Sequence, residues 1–197
     1  EGNGGGYYKL KGPSVYPGEY EVKLMANGKE MIQKVKVRID PRIETNPENL
    51  RARFKASQAM NEIARAFLDT REATQKMQNE LNHLRVDVKK REEIPEMINA
   101  TIDEIQRKLD EIYEDFRKEL YGIQSFIMDL LGQIEASTSA PSEAQLKTIE
   151  RMRSRLEKNI KIINVLLKEK FPELQNELNS KGVKLFISEP VKPPKRY

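Results

Sequence analysis

Three small groups of side chains in this sequence have types and spacings that could do chemistry. The sole histidine, His83, follows Glu80 by three residues, which matches the Glu-x-x-His half of a di-iron bundle site. That site needs a second such pair and further carboxylates, and the sequence has no second histidine and no cysteine. We therefore expect His83 to be a polar position beside a helical seam. Glu111 and Asp115 stand one helical turn apart and could act as paired carboxylates, but Lys108 and Lys118 surround them. A solvated charged face is the expectation there. The third group is Asp40-Pro41-Arg42. Asp40 can cap a turn, and Arg42 is expected to pair with a carboxylate where a sheet meets a helical bundle. Asp40, Pro41 and Arg42 are thus read as a structural junction. No nucleophile elbow or Cys/His pair is present. Gly2 to Gly6 is glycine-rich but precedes a strand, so phosphate binding is not expected. Asn99-Ala100-Thr101 has the pattern of a glycosylation sequon, but it falls inside a helical stretch, and coincidence is the preferred reading. We expect no catalytic residue, no metal ligand and no cofactor.

The residues that position Asp40 change their hydrophobic period on either side of it. Upstream, Val35, Val37 and Ile39 alternate with Lys34, Lys36 and Arg38, the two-residue period of a half-buried strand. Tyr20, Val22 and Leu24 alternate in the same way after the turn signal Pro17-Gly18, and Asn27-Gly28 between the two runs favours a tight hairpin turn. Pro41 closes the second strand, because it cannot donate to a ladder and disfavours helical angles before it. A hairpin alone is marginal in water. We therefore expect residues 1–45 to be the last strands of an immunoglobulin-like sandwich completed by chain upstream. The chain opens in Gly-rich sequence without a methionine, and we expect it to be a fragment.

From Asn46 the period is helical. Asn46 can cap, Pro47 suits the first helical position and Glu48 suits the positive end of the dipole. Met60, Ile63, Phe67, Thr70, Thr74, Met77, Leu81, Leu84 and Val88 form a seam at steps of three and four. The two threonines are its soft spot. Glu92 to Pro95 breaks the register. A second helix then carries Ile98, Ile102, Ile105, Leu109, Ile112, Phe116, Leu120, Ile123, Ile127, Leu130 and Ile134, with Glu104–Lys108 and Glu114–Lys118 as favourable pairs. Ser137 to Pro141 is a loop, and Ser142 with Gln145 matches a capping box. A third helix carries Leu146, Ile149, Leu156, Ile160, Ile163, Leu167, Phe171, Leu174 and Leu178. Pro172 should kink it, and Gly182 should end it. The expected fold is mainly α: a long antiparallel three-helix bundle over residues 46–182, preceded by the hairpin and followed by an extended basic tail, residues 183–197. Within that tail, Val183 to Ile187 is expected to pack as a short extended piece and Glu189 to Tyr197 to be flexible.

Composition agrees with long solvated helices. Charged residues make up 34% and aromatics 7% of the 197 residues, with no Trp; a compact enzyme built round a pocket has a different balance. The net charge of +4 is unevenly placed. Residues 1–45 carry 8 basic and 6 acidic groups, residues 46–180 carry 22 and 24, and residues 181–197 carry 5 and 1. A nucleic-acid binder concentrates Lys and Arg on one face, so no nucleic acid is expected as a partner. No apolar run reaches the ~20 residues of a membrane span.

Gly12-Pro13, Val15, Pro17-Gly18, Tyr20, Gly28 and Asp40-Pro41-Arg42 together resemble a signature near the C-terminus of secreted bacterial sortilin-like proteins with BNR-type β-propeller repeats, often labelled glycosyl hydrolases. The helical part is similar as well, through Ala140-Pro141-Ser142-Glu143-Ala144-Gln145 and the late Pro172. Ser142 stands where that family more often has Thr, and both residues can cap a helix. The resemblance implies an order of propeller, immunoglobulin-like sandwich and helical region. It further implies an extracytoplasmic location, with the upstream propeller and sandwich of the same polypeptide as partners. The expectation is a non-catalytic accessory module acting as scaffold or interaction surface, with any catalysis in the absent propeller. The alternatives are a self-contained helical-bundle module that binds a protein partner, and part of a hydrolase whose active site lies upstream.

Overall fold

The computed structural model describes residues 14–44, 46–89, 96–179, 182–185 and 189–196, and the side chains of all of these but 116–125. Strands β1 (Gly18–Ala26) and β2 (Lys29–Val37) form a two-stranded antiparallel sheet. Asn27 and Gly28 join them with φ of 51° and 74°, the positive values that a two-residue hairpin turn requires and that this pair accepts. Four helices follow: α1 (Pro47–Lys89), α2 (Glu96–Ala136), α3 (Glu143–Val165) and α4 (Phe171–Asn179). The protein is thus mainly helical, with a hairpin at its start.

A π turn over Leu166–Lys170 joins α3 to α4 without interruption, so the third arm of the bundle runs from Glu143 to Asn179. Pro172 explains the turn. It has no N–H for the Lys168 carbonyl and its ring would crowd that group, and widening the preceding turn relieves both problems. The Phe171 N–H accordingly donates to the carbonyl of Leu166, five residues back.

Side-chain pairs fix the direction of packing. Arg85 meets Asp103 and Gln78 meets Asp110, while Arg53 meets Ile134 and Glu135. Contacts on α2 climb as those on α1 descend, so the two helices are antiparallel. The expected seam on α1 is buried at every position from Met60 to Val88, and so is the described part of the α2 stripe. On the third arm, Ile149, Leu156, Ile160, Ile163, Leu167, Phe171, Leu174 and Leu178 are buried. Leu146 is the exception at 48% exposed. At 100° per residue it falls at the edge of the stripe, in the first turn of the helix.

The helix ends follow the sequence signals. Asn46 Oδ1 accepts from Glu48 N–H at 2.8 Å. Ser142 Oγ accepts from Gln145 N–H at 3.2 Å, and Gln145 Oε1 accepts from Ser142 N–H at 2.9 Å. Gly182, with φ of 66°, donates to the Asn179 carbonyl at 3.1 Å, and Val183 donates to that of Leu178 at 3.3 Å. These are the reversed bonds that close a helix through a left-handed residue. The register break expected at Glu92 to Pro95 and the glycine-rich lead lie outside the described residues.

The C-terminal tail departs from expectation. Residues 189–196 lie along α3 and are held by it. Asn164 pairs with Val191, Arg153 donates to the Lys195 carbonyl and Arg196 pairs with Glu157. The Lys and Pro content that suggested a flexible end overlooked Val191 and Pro194, both of which are buried.

Candidate interaction surface

The residues with candidate chemistry are dispersed. His83 is exposed and Glu80 half-buried on the same helix, and among the described residues no three His, Cys, Asp or Glu side chains are placed to hold a metal ion. Glu111 pairs with Arg107 on its own helix at 2.5 Å. Asp115 turns away from it and joins α2 to α3, accepting from Arg155 and, at 2.9 Å, from Asn159. The solvated-face expectation holds for Glu111 but misses the inter-helix role of Asp115.

Asp40, Pro41 and Arg42 form a local turn between β2 and α1. The Ile43 N–H donates to the Asp40 carbonyl at 2.9 Å. The carboxylate that Arg42 meets is Asp40 itself, gripped through Nε at 2.9 Å and Nη2 at 2.6 Å, with the Arg42 N–H adding a third bond at 3.0 Å. The Arg42 hydrogen bonds hold the Asp40 carboxyl below its ordinary range. The carboxylate expected for Arg42 where the sheet meets the bundle is thus Asp40 itself, two residues away in the same turn.

The hairpin meets the bundle elsewhere, at the corner where α1 begins and α2 ends. The Ser14 N–H donates to Glu135 Oε1 at 3.0 Å. The Tyr16 ring packs against Phe54 with centroids 5.9 Å apart. In the same corner Arg53 donates to the Ile134 and Glu135 carbonyls at 3.2 and 2.7 Å. It thereby satisfies last-turn acceptors of α2 and opposes the negative end of its dipole.

Cross-strand register divides the hairpin into two unlike faces. Tyr20 opposite Val35, Val22 opposite Gln33 and Leu24 opposite Met31 point to one side. Glu19 opposite Lys36 and Glu21 opposite Lys34 point to the other, where Lys23 also pairs with Glu30 at 2.5 Å. That second face is mixed, since Met25 and Ile32 stand among its charges and are 71% and 55% exposed. The apolar face is open too: Val22, Leu24 and Met31 are 53%, 57% and 67% exposed. A contiguous apolar patch of this kind marks an interaction surface. Among the described residues both strands are also edges, each with an unpaired row of backbone groups. The face can take a second sheet packed at ~10 Å, and the edges can take a further strand.

A second, polar groove of about 400 Å³ lies between α1 and α2, lined by amides and by Tyr113. Asp110 bridges it, accepting from Gln78 at 3.3 Å and from Gln106 at 2.8 Å. Of these bonds the Gln78–Asp110 one joins the two helices, while Gln106 lies on the same helix as Asp110.

These features define a class: a helical bundle bearing an amphipathic β-hairpin with one apolar face uncovered among the described residues. Comparison of the chain with protein-family models, with curated proteins and with solved structures finds no match. No described helix is long and apolar enough to cross a membrane.

Proposed function

We propose that this chain is a non-catalytic accessory module of a large extracytoplasmic β-propeller protein, serving as scaffold or interaction surface. The open apolar face of the hairpin is the observation that carries the reading. Tyr20, Val22, Leu24, Met31 and Val35 form one side of a sheet, and a sheet with such a side is stable when another layer covers it. Strands from an upstream immunoglobulin-like sandwich of the same polypeptide would be that layer. The likeness of the PG-Y and DPR elements to the sortilin-like, BNR-repeat family supports the same order of domains. In this reading any hydrolase activity belongs to the upstream propeller, and the bundle spaces or docks it.

An immunoblot of fractionated source cells, with antibody raised against the bundle, tests the proposal. A band several times heavier than 22.9 kDa in the envelope or secreted fraction is expected. A band near 22.9 kDa in the cytosol would overturn it in favour of a self-contained helical interaction module.

A further inference from the structure

The tail on α3 is arranged as a ligand in a site. Val191 and Pro194 are buried while residues 192, 193, 195 and 196 are exposed, a period of three. That is the period of polyproline II, and Pro193-Pro194 restricts the backbone to it. The side chains that bond the tail, Arg153, Glu157 and Asn164, lie on one stripe of α3 that also carries the buried Ile160. Arg153, Glu157, Ile160 and Asn164 fall within about 60° of one another at 100° per residue, and the tail crosses them in the opposite direction. The eleven residues from Asn164 back to Arg153 rise about 16 Å at 1.5 Å each. Residues 191 to 195 cover about 12 Å at 3.1 Å each, and the long arginine side chain spans the difference.

Each contact reads a different property of the tail. Asn164 accepts from the Val191 N–H and donates to its carbonyl, both at 2.8 Å, so it recognises extended backbone of any sequence. Arg153 Nη1 donates to the Lys195 carbonyl at 2.7 Å. Glu157 takes the Arg196 guanidinium through both carboxylate oxygens at 3.0 and 3.2 Å. Arg153 is only 5% exposed, yet its Nε makes no hydrogen bond and lies 3.6 Å from Glu150. A cation buried with part of its donor set unused is costly in a permanent core. Departure of the tail would free the Nη1 that bonds the Lys195 carbonyl.

We propose that the Arg153, Glu157, Ile160 and Asn164 stripe of α3 is a binding site for proline-containing extended peptides. Its ligands carry an aliphatic residue three before a proline and an arginine two after it. Val191, Pro194 and Arg196 of the chain's own tail are the resident ligand, and a partner's segment of the same chemistry displaces them. The tether gives the tail an effective concentration of order mM, so the site is closed in the isolated chain. This inference does not depend on the accessory-module reading.

The test uses the full chain with Val191→Asp and Pro194→Asp, which clears the site while leaving α3 untouched. A fluorescein-labelled peptide of the tail sequence, residues 189–196, is titrated and followed by anisotropy. Saturable binding to the cleared variant is expected, about a hundredfold tighter than to the parent, whose site is occupied. Adding Asn164→Ala should weaken it about tenfold, through loss of the two backbone bonds. No saturable binding by a cleared variant of unchanged helical circular dichroism would overturn the proposal. Equal binding of a scrambled peptide would do the same, leaving charge alone as the attraction. Unfolding of the cleared variant would also overturn it, by making the tail part of the core.

Discussion

Arg155 on α3 clasps both carboxylate oxygens of Asp115 on α2, and Asn159, one turn further along α3, donates to the same carboxylate. This cluster joins two helices through side chains about 40 residues apart in sequence. The Arg155 hydrogen bond is the main cause that holds the Asp115 carboxyl below its ordinary range; burial opposes it, and Asn159 assists. A folded-state pKa below the unfolded one contributes stability above the unfolded value of about 4, and that stability is lost as pH falls through the folded value. Asp115→Asn should therefore cost about 1 kcal/mol at pH 7, a figure limited by partial exposure. The gap from the parent should close as the pH drops below that window. Urea melts of both proteins at neutral and acid pH measure this, and a gap that stays constant with pH would remove the ionic explanation.

Arg53 ties the start of α1 to the end of α2 through the Ile134 and Glu135 carbonyls. Arg53→Ala leaves those acceptors to water and removes a positive charge from a helix C-terminus. We expect a loss of about 1–2 kcal/mol and faster amide exchange over the last turns of α2, with exchange at the α1–α2 contacts near Arg85 unchanged. Uniformly faster exchange along both helices would show that the corner has no local role.

Thr70 and Thr74 sit in the α1 seam, fully buried. Each hydroxyl donates to the carbonyl one turn back, Thr70 to Ala66 at 2.5 Å and Thr74 to Thr70 at 2.8 Å. Those carbonyls remain engaged in the helix ladder when the hydroxyl is removed, so no polar group is stranded. Thr70→Val should stabilise the bundle by about 0.5–1 kcal/mol, while Thr70→Ala, which leaves a void, should destabilise it by about 1 kcal/mol. Calorimetry of the two variants decides; a loss with valine would mean that the hydroxyl bond outweighs the apolar gain.

The seams, both caps and the hairpin turn were legible in the sequence because each depends on residues within a turn or two of one another. Met60 to Val88 announce a buried stripe through spacing alone, and Asn27-Gly28 announces its own backbone angles. Pairs such as Asp115 with Arg155 were not legible, since they depend on the axial register of two helices. For Arg42 the sequence indicated a carboxylate at the junction without naming it, and the partner is Asp40, two residues away. The docked tail had a signal in Val191 and Pro194, three apart, but its Lys and Pro content pointed to a flexible end.

The hairpin's two faces make the last prediction. Leu24 and Met31 are opposed on the apolar side, which no other described element covers. Replacing both by lysine removes exposed apolar area without touching the Tyr16–Phe54 contact at the bundle corner. If that face is where another layer packs, Leu24→Lys with Met31→Lys should lower binding of an apolar dye such as ANS and reduce self-association at high concentration. Helical circular dichroism should stay as in the parent, because the bundle core from Met60 to Val88 is built without these residues. Unchanged dye binding would place the sticky surface elsewhere. Loss of helical signal would mean that the hairpin is integral to the bundle, and the open face would then no longer support a sheet supplied from upstream.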